Sequence, residues 1–227
     1  MKRSKIALIT SVMIMLGISL PAMGHKPVII DGGPTTIETA YDIADPEVSQ
    51  VGYHKVDANQ PTLWFSFEAD SGMQLYLELG VPKIAGLEAL RPRMALVGPG
   101  LPENLDFPFE IPENYGVVIF DTAIETPVEF HEHFTGTRSW KFTPERPVVL
   151  ETGKYYLAGY LPDGVEGKFW MAIGTKEEFS LMDIISLPRI VVDVRRFHEV
   201  FVIGGLAMGV FIALLLLLWG GFMAFMR

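Results

Sequence analysis

The chain has 227 residues, no cysteine and a formal net charge of −9 at pH 7. Without cysteine it can form no disulfide, no thiolate-ligated metal site and no thiol nucleophile. All 27 acidic residues lie between positions 25 and 199, and only four of the 18 basic residues lie outside that segment, so the segment carries a net charge of −13. Because so acidic a surface repels nucleic acid, we expect no nucleic-acid partner.

Residues 1–24 have the organisation of a signal peptide. Basic residues at positions 2, 3 and 5 precede the apolar run Ile6–Leu20, and Ala22 and Gly24 are small residues at the −3 and −1 positions of a cleavage site. Cleavage there gives a mature protein that begins with His25. An uncleaved N-terminal anchor is the alternative interpretation of this run.

The next residues of the chain predict a mainly-β domain. Residues 25–52 are polar and rich in turn-forming residues, which is typical of an extended lead-in. Residues 53–179 contain many short strand patterns separated by Gly and Pro turns, and these predict an antiparallel, jelly-roll-like β-sandwich. The predicted strands are Leu63–Glu68, Met73–Leu79, Arg93–Val97, Gly116–Phe120, part of Pro127–Phe142, Val148–Leu150, Lys154–Tyr160 and Lys168–Ile173.

A short helix and a connector are predicted over residues 180–199. Ser180 is a suitable N-cap, and Asp183 stands at the position from which a side chain can bond back to it. Leu187 and Pro188 come soon after, so we expect the helix to end there and Arg189–Glu199 to form a connector.

The run Val200–Met226 is uncharged and 27 residues long. A bilayer core requires about 20 apolar residues, so the run predicts one C-terminal transmembrane helix. Export of the N-terminus then leaves the domain outside, in the periplasm or extracellular space, and Arg227 in the cytoplasm. Arg195 and Arg196, just outside the run, go against the positive-inside trend.

Small residues line one face of this predicted transmembrane helix. Gly205, Gly209 and Ala213 are spaced four apart, which permits close approach of a second helix. The spacing therefore indicates a homodimer or a membrane-protein partner, although glycine is common in membrane helices for other reasons.

Two segments resemble the pre-peptidase C-terminal (PPC) family of β-sandwich modules. The first, Trp64–Leu79, is similar to the aromatic strand, Gly-containing turn and apolar strand of that family. The second, Glu151–Ala158 together with Gly167–Gly174, is similar to its closing Gly-x-Tyr-Tyr hairpin. The resemblance covers about a fifth of the chain, and the segment Pro82–Thr143 between these motifs is longer than the family leads one to expect. The resemblance implies a non-catalytic accessory module, here within an envelope protein that has a signal peptide and one transmembrane helix.

A copper site is the sharpest chemical hypothesis that the sequence offers. A mature chain that begins with His25 has a terminal amine and an imidazole that can chelate one metal ion, and imidazole nitrogen suits Cu(II). His131 and His133 point to the same face of a strand and could complete the site. The alternative is an incidental histidine at a cleavage site and an exposed polar strand.

The remaining candidate site is an aromatic binding patch. Phe134, Thr137, Arg138 and Trp140 could bind a sugar or a protein, although aromatic residues in such segments more often belong to a core. The sequence has no nucleophile elbow, phosphate loop, dinucleotide fingerprint or His-Glu-x-x-His motif. We therefore expect no enzymatic activity, and a binding or accessory function instead.

Overall fold

The computed structural model describes residues 25–162 and 164–200. The predicted signal peptide and nearly all of the predicted transmembrane helix, including Gly205, Gly209 and Ala213, lie outside the described residues. The elements are β1 (Lys26–Ile30), β2 (Tyr41–Asp42), β3 (Gln50–Val56), β4 (Thr62–Ala69), β5 (Leu77–Pro82), β6 (Arg93–Pro99), β7 (Tyr115–Asp121), β8 (Val128–Glu132), β9 (Thr137–Lys141), β10 (Gly153–Tyr160), β11 (Gly167–Ile173) and α1 (Leu181–Phe197).

The described strands form two sheets. The six-stranded sheet has the order β1-β3-β11-β5-β9-β8, and the five-stranded sheet has the order β2-β4-β10-β6-β7. The prediction of a mainly-β fold is confirmed, and the two sheets pack as a sandwich. The purely antiparallel arrangement is wrong, because β1 pairs with β3, and β2 with β4, in parallel. A long connection between each pair lets the chain return in the same direction, which a tight hairpin does not.

The N-terminal segment belongs to both sheets. Residues 25–52, predicted to be an extended lead-in, contain β1 at the edge of the larger sheet, β2 at the edge of the smaller one and the start of β3. The strands β1 and β2 are short and lack a run of alternating apolar residues. Their positions depend on pairing with neighbouring strands, which the local sequence pattern does not report.

Both outer faces of the sandwich are covered. Alternate residues of β4 divide between layers: Phe65 and Phe67 enter the central core between the sheets, and Trp64 points outward. Trp64 packs edge-on against Phe107 and Phe109 of the loop after β6. The helix α1 packs on the outer face of the six-stranded sheet.

For the strand predicted at Met73–Leu79, the structure confirms which side chains face the core, but the strand begins later than predicted. Leu75, Leu77 and Leu79 all lie in the central core. Regular pairing nevertheless begins only at Leu77, because the residues before it contribute a single isolated bridge, at Gln74. The segment 148–150 likewise contributes only a bridge, at Val148.

The C-terminal helix is longer than predicted. The N-cap prediction is confirmed, since the amide of Asp183 donates to Ser180 Oγ (3.2 Å). The predicted end near Pro188 is wrong, because α1 continues to Phe197 with this proline inside it. An internal proline costs a helix one hydrogen bond. The apolar face beyond it, which includes Val194, packs on the sheet and offsets that cost.

The helix ends in a sharp turn. Glu199 has a positive φ of 55°, the left-handed conformation. Its amide bonds Arg196 O (3.0 Å), and the amide of Val200 bonds Arg195 O (2.8 Å). These two bonds define a Schellman motif, which closes the helix and turns the chain away from the helix axis.

Candidate functional site

An apolar cluster forms where α1 packs on the outer face of the six-stranded sheet. We call it the helix-side cluster: Val51, Tyr53, Trp170, Ala172, Val194 and Phe197. The ring of Trp170 lies over Gly80 of β5, where a Cβ atom would stand 2.2 Å from the ring. Only glycine permits this approach, so β5 is shaped to admit the indole under the helix.

A buried chain of hydrogen bonds joins the sheet to the end of α1. Trp170 Nε1 donates to Ser139 Oγ (3.0 Å), and Ser139 Oγ lies 3.2 Å from His198 Nε2. His198 Nδ1 lies 2.9 Å from Val194 O, which can only accept. Nδ1 therefore carries the proton, and Ser139 donates its hydroxyl proton to Nε2.

The environment keeps His198 neutral. The side chain is 5% exposed, and burial lowers its pKa to about 4, although the bond to Val194 O acts in the opposite direction. Ser139 is 3% exposed, and its hydroxyl is hydrogen-bonded to both Trp170 and His198. A serine beside a histidine suggests a nucleophile, but this hydroxyl has no path to a substrate. We interpret the pair as structural.

Two cations fasten the last turn of α1. Arg195 Nη1 donates to Thr135 O (2.7 Å) in the loop after β8. Lys168 Nζ of β11 donates to Phe197 O and to Glu199 Oε1, both at 2.9 Å. Lys168 thus binds a carbonyl group that the C-terminus of the helix leaves unsatisfied, and a cation at this position interacts favourably with the helix dipole.

The loop that meets Arg195 is itself ordered by Glu132. The Glu132 carboxylate accepts the amides of Phe134 (2.8 Å) and Thr135 (2.6 Å) as well as the Thr135 hydroxyl. Thr135 Oγ1 also lies 2.8 Å from Thr137 Oγ1. The carbonyl that holds the helix is thus fixed by its own loop.

The structure gives His25 partners other than the predicted ones. Its Nδ1 lies 2.6 Å from Ser49 Oγ, and its Nε2 lies 3.1 Å from Glu78 Oε2. Glu78, which is 4% exposed, also accepts from Tyr76 (2.5 Å) and Lys141 (2.9 Å). Burial alone would raise the pKa of Glu78, but these three hydrogen bonds outweigh it and lower the pKa to about 2.

The other two predicted metal ligands lie apart from His25, with His131 on the opposite face of β8 and His133 in the turn that follows this strand. His131 and His133 are exposed, and their ring centroids are 4.4 Å apart. His25 lines a cavity of about 30 Å³ with Glu132, whose side chain alternates with that of His131 along the strand. Across residues 25–162 and 164–200 no group of three or more His, Asp and Glu side chains is arranged to hold a metal ion.

The four residues of the predicted binding patch divide between two faces. Phe134 and Thr137 face α1, and Thr137 is buried. Arg138 and Trp140 face the other way, where Lys83 Nζ lies 4.8 Å from the Trp140 ring centroid. They do not form one surface.

Clefts open at both ends of α1. The larger, of about 440 Å³, lies beside the start of the helix and includes the ion pair between Lys26 and Asp183 (2.9 Å). The other, of about 260 Å³, lies beside its end and is lined in part by Lys168 and Arg196. The sequence gives no signal for either cleft, because residues distant in the chain line each of them. Lys26 and Asp183 are more than 100 positions apart, and Lys168 and Arg196 are about 30 positions apart.

No protein-family model matches the chain, and no curated protein matches it. Among solved structures, the chain is similar to the pre-peptidase C-terminal domain of a collagenase from Bacillus anthracis, a crystal structure at 1.0 Å. The two are 12% identical with a TM-score of 0.31, over 59% of this chain and 93% of that domain. So distant a likeness carries no argument about function, and the description of the sandwich rests on its own strand topology.

Within the part of the chain that the structure describes, no helix is both long and apolar enough to cross a bilayer. The predicted membrane-spanning run begins at Val200, where the described residues end.

Proposed function

We propose that this chain is a membrane-tethered, extracytoplasmic β-sandwich that acts as a non-enzymatic accessory subunit of a membrane complex. One observation carries the proposal. The end of α1, bound by His198, Arg195 and Lys168, stands directly before the uncharged run that begins at Val200. Such an attachment holds the domain in a fixed relation to its tether, which suits presentation of a surface to a partner.

Exposed apolar side chains supply a surface for such a partner. Leu105 and Ile124 are each 97% exposed, and Val128 is 61% exposed. Single exposed apolar residues are common, so each is only a probe position.

Photo-crosslinking in intact membranes tests the proposal. A photoreactive amino acid at Ile124 or Leu105 of the full chain should give a discrete crosslinked species that fractionates with membranes. The same group at Asn59, which is exposed and polar, is the matched control. A chain that fractionates with soluble protein, or probes that all give no product, would contradict the proposal.

Copper binding is a second candidate, favoured by the 4.4 Å separation of the His131 and His133 rings. Cu(II) titration of purified full-length protein, followed by the visible absorption of the complex, tests it. The double variant His131→Ala/His133→Ala should lose the signal, and His25→Ala tells whether the N-terminal histidine takes part. Mass spectrometry of the same sample gives the mature N-terminus. No absorption change in the parent chain would remove this candidate.

A further inference from the structure

The face of α1 that points away from the sheet has its own composition. Met182, Ile185, Arg189, Val192 and Arg196 succeed one another at helical spacing and form what we call the outward stripe. Met182 and Ile185 are 69% and 63% exposed. The opposite face holds Val194 and Phe197, both buried in the helix-side cluster.

The stripe is apolar in its first half and basic in its second. The side chains of Arg189 and Arg196 are 88% and 69% exposed. Both lie near Asp193, at 3.6 and 3.4 Å, so the stripe keeps one net positive charge. In a domain with a net charge of −13, a basic stripe beside the predicted tether is a local reversal of sign.

The Schellman motif fixes how the stripe stands relative to the chain beyond the helix. Because Glu199 has a left-handed conformation, the described chain turns away from the axis of α1 at Glu199 and Val200. If the run after Val200 crosses a bilayer along its normal, as the proposed function holds, this turn allows α1 to run along the membrane surface. Its 17 residues span about 25 Å from the point of entry.

We propose that the outward stripe of α1 lies on the outer surface of the bilayer that holds the C-terminal run, with Arg189 and Arg196 on lipid phosphates. Met182 and Ile185 enter the headgroup region. A helix with an apolar end and arginines on one face is suited to this interface. The inference rests on the proposed function, since it requires residues after 200 to be inserted.

Site-directed spin labelling tests the stripe, because the chain has no native cysteine. The full chain is reconstituted into nanodiscs of phosphatidylglycerol and phosphatidylcholine with one label at Met182→Cys or Ile185→Cys. Labels at Ile124→Cys and Leu214→Cys are the aqueous and hydrocarbon references. Power saturation with oxygen and a water-soluble nickel chelate then measures the depth of each label.

We expect labels at 182 and 185 to show an oxygen-to-nickel accessibility ratio between those of the two references. The variant Arg189→Glu/Arg196→Glu should shift the label at 185 toward the aqueous value. The variant Arg146→Glu/Lys154→Glu, with the same charge change at exposed positions away from α1, should leave it unchanged.

Labels at 182 and 185 that match position 124, while 214 is in hydrocarbon, would overturn the stripe and leave the tether intact. Labels shielded from both reagents would mean that a second copy covers the stripe, which also overturns it. A label at 214 that is open to the nickel chelate would instead refute the tether, and with it the proposed function.

Discussion

The buried carboxylate of Glu78 forms hydrogen bonds with side chains from three separate segments of the chain. It accepts from His25 before β1, from Tyr76 before β5 and from Lys141 in β9. A buried carboxylate that satisfies several donors is costly to remove, because those donor groups then lose their acceptor.

We therefore expect Glu78→Ala to lower the free energy of unfolding by about 3 kcal/mol, measured by urea unfolding of the full chain in detergent. Glu129→Ala is the matched control, since Glu129 also pairs with two cations, Lys83 and Arg138, but at an exposed position. The control should leave the midpoint within error. Equal losses in both variants would show that burial does not distinguish the two carboxylates.

Ser139 is the second residue whose role can be tested alone. Ser139→Ala leaves Trp170 Nε1 without an acceptor and His198 Nε2 without a donor, both in a buried site. Orphaned buried groups cost about 1–3 kcal/mol, and we expect a loss in that range by the same urea measurement. Ser71→Ala, which removes an exposed bond to Leu150 O, should have a much smaller effect. No loss at Ser139 would mean that water replaces the hydroxyl.

At the scale of elements, a few buried side chains pack α1 against the six-stranded sheet. Phe197 is 5% exposed and packs against Tyr53, with ring centroids 5.3 Å apart. Phe197→Ala should cost about 3–5 kcal/mol. Met182→Ala, on the outward stripe of the same helix, should be close to neutral. A small cost at Phe197 would mean that α1 contributes little to global stability and detaches separately.

The elements also mark how far the sequence could predict this fold. Buried strands with a strong pattern, such as β4 and β10, were predicted within one residue at each end. The strands β1, β2 and β3 were missed; the few residues of β1 and β2 are held by parallel pairing with distant segments, and β3 pairs with β1 and with the distant β11. The extension of α1 beyond Pro188 was missed because tertiary packing outweighed a local helix-breaking signal.

The candidate site was less predictable than the fold. His131 and His133 were expected on one face of a strand, but β8 ends at Glu132 and His133 lies in the turn that follows, with its ring 4.4 Å from that of His131. The link between Trp170, Ser139 and His198 was not found, since these residues lie about 30 and 60 positions apart. Only the sheet order brings them together.

For the whole molecule, buried histidines give stability a defined pH dependence. His198 has a pKa lowered from 6.5 to about 4 by burial, and burial also lowers the pKa of His54. Below pH 6.5 the unfolded chain binds a proton that folded His198 refuses until about pH 4. Stability therefore falls as pH falls through this window, by about 3 kcal/mol for His198.

Unfolding free energies measured between pH 7 and 4 check this expectation. The variant His198→Gln should lose part of the pH dependence, and His131→Gln, at an exposed position, should keep it. Glu78, with a pKa lowered from 4.5 to about 2, contributes stability that is present above pH 4.5 and is lost as pH falls further. An unchanged slope in His198→Gln would contradict the assignment of this window to His198.

The strand order has a consequence for how the protein is made. The strands β11 and β10 lie inside the two sheets, each between partners that precede it in the chain, yet they are the last strands to be synthesised. Until residues 153–173 have emerged, β3 cannot meet β5, and β4 cannot meet β6. Because pairing between such distant segments is slow to form, the strands in the first two thirds of the domain remain in separate partial sheets with exposed apolar side chains until then. The cell therefore has to keep this chain from aggregating until almost all of it has been synthesised.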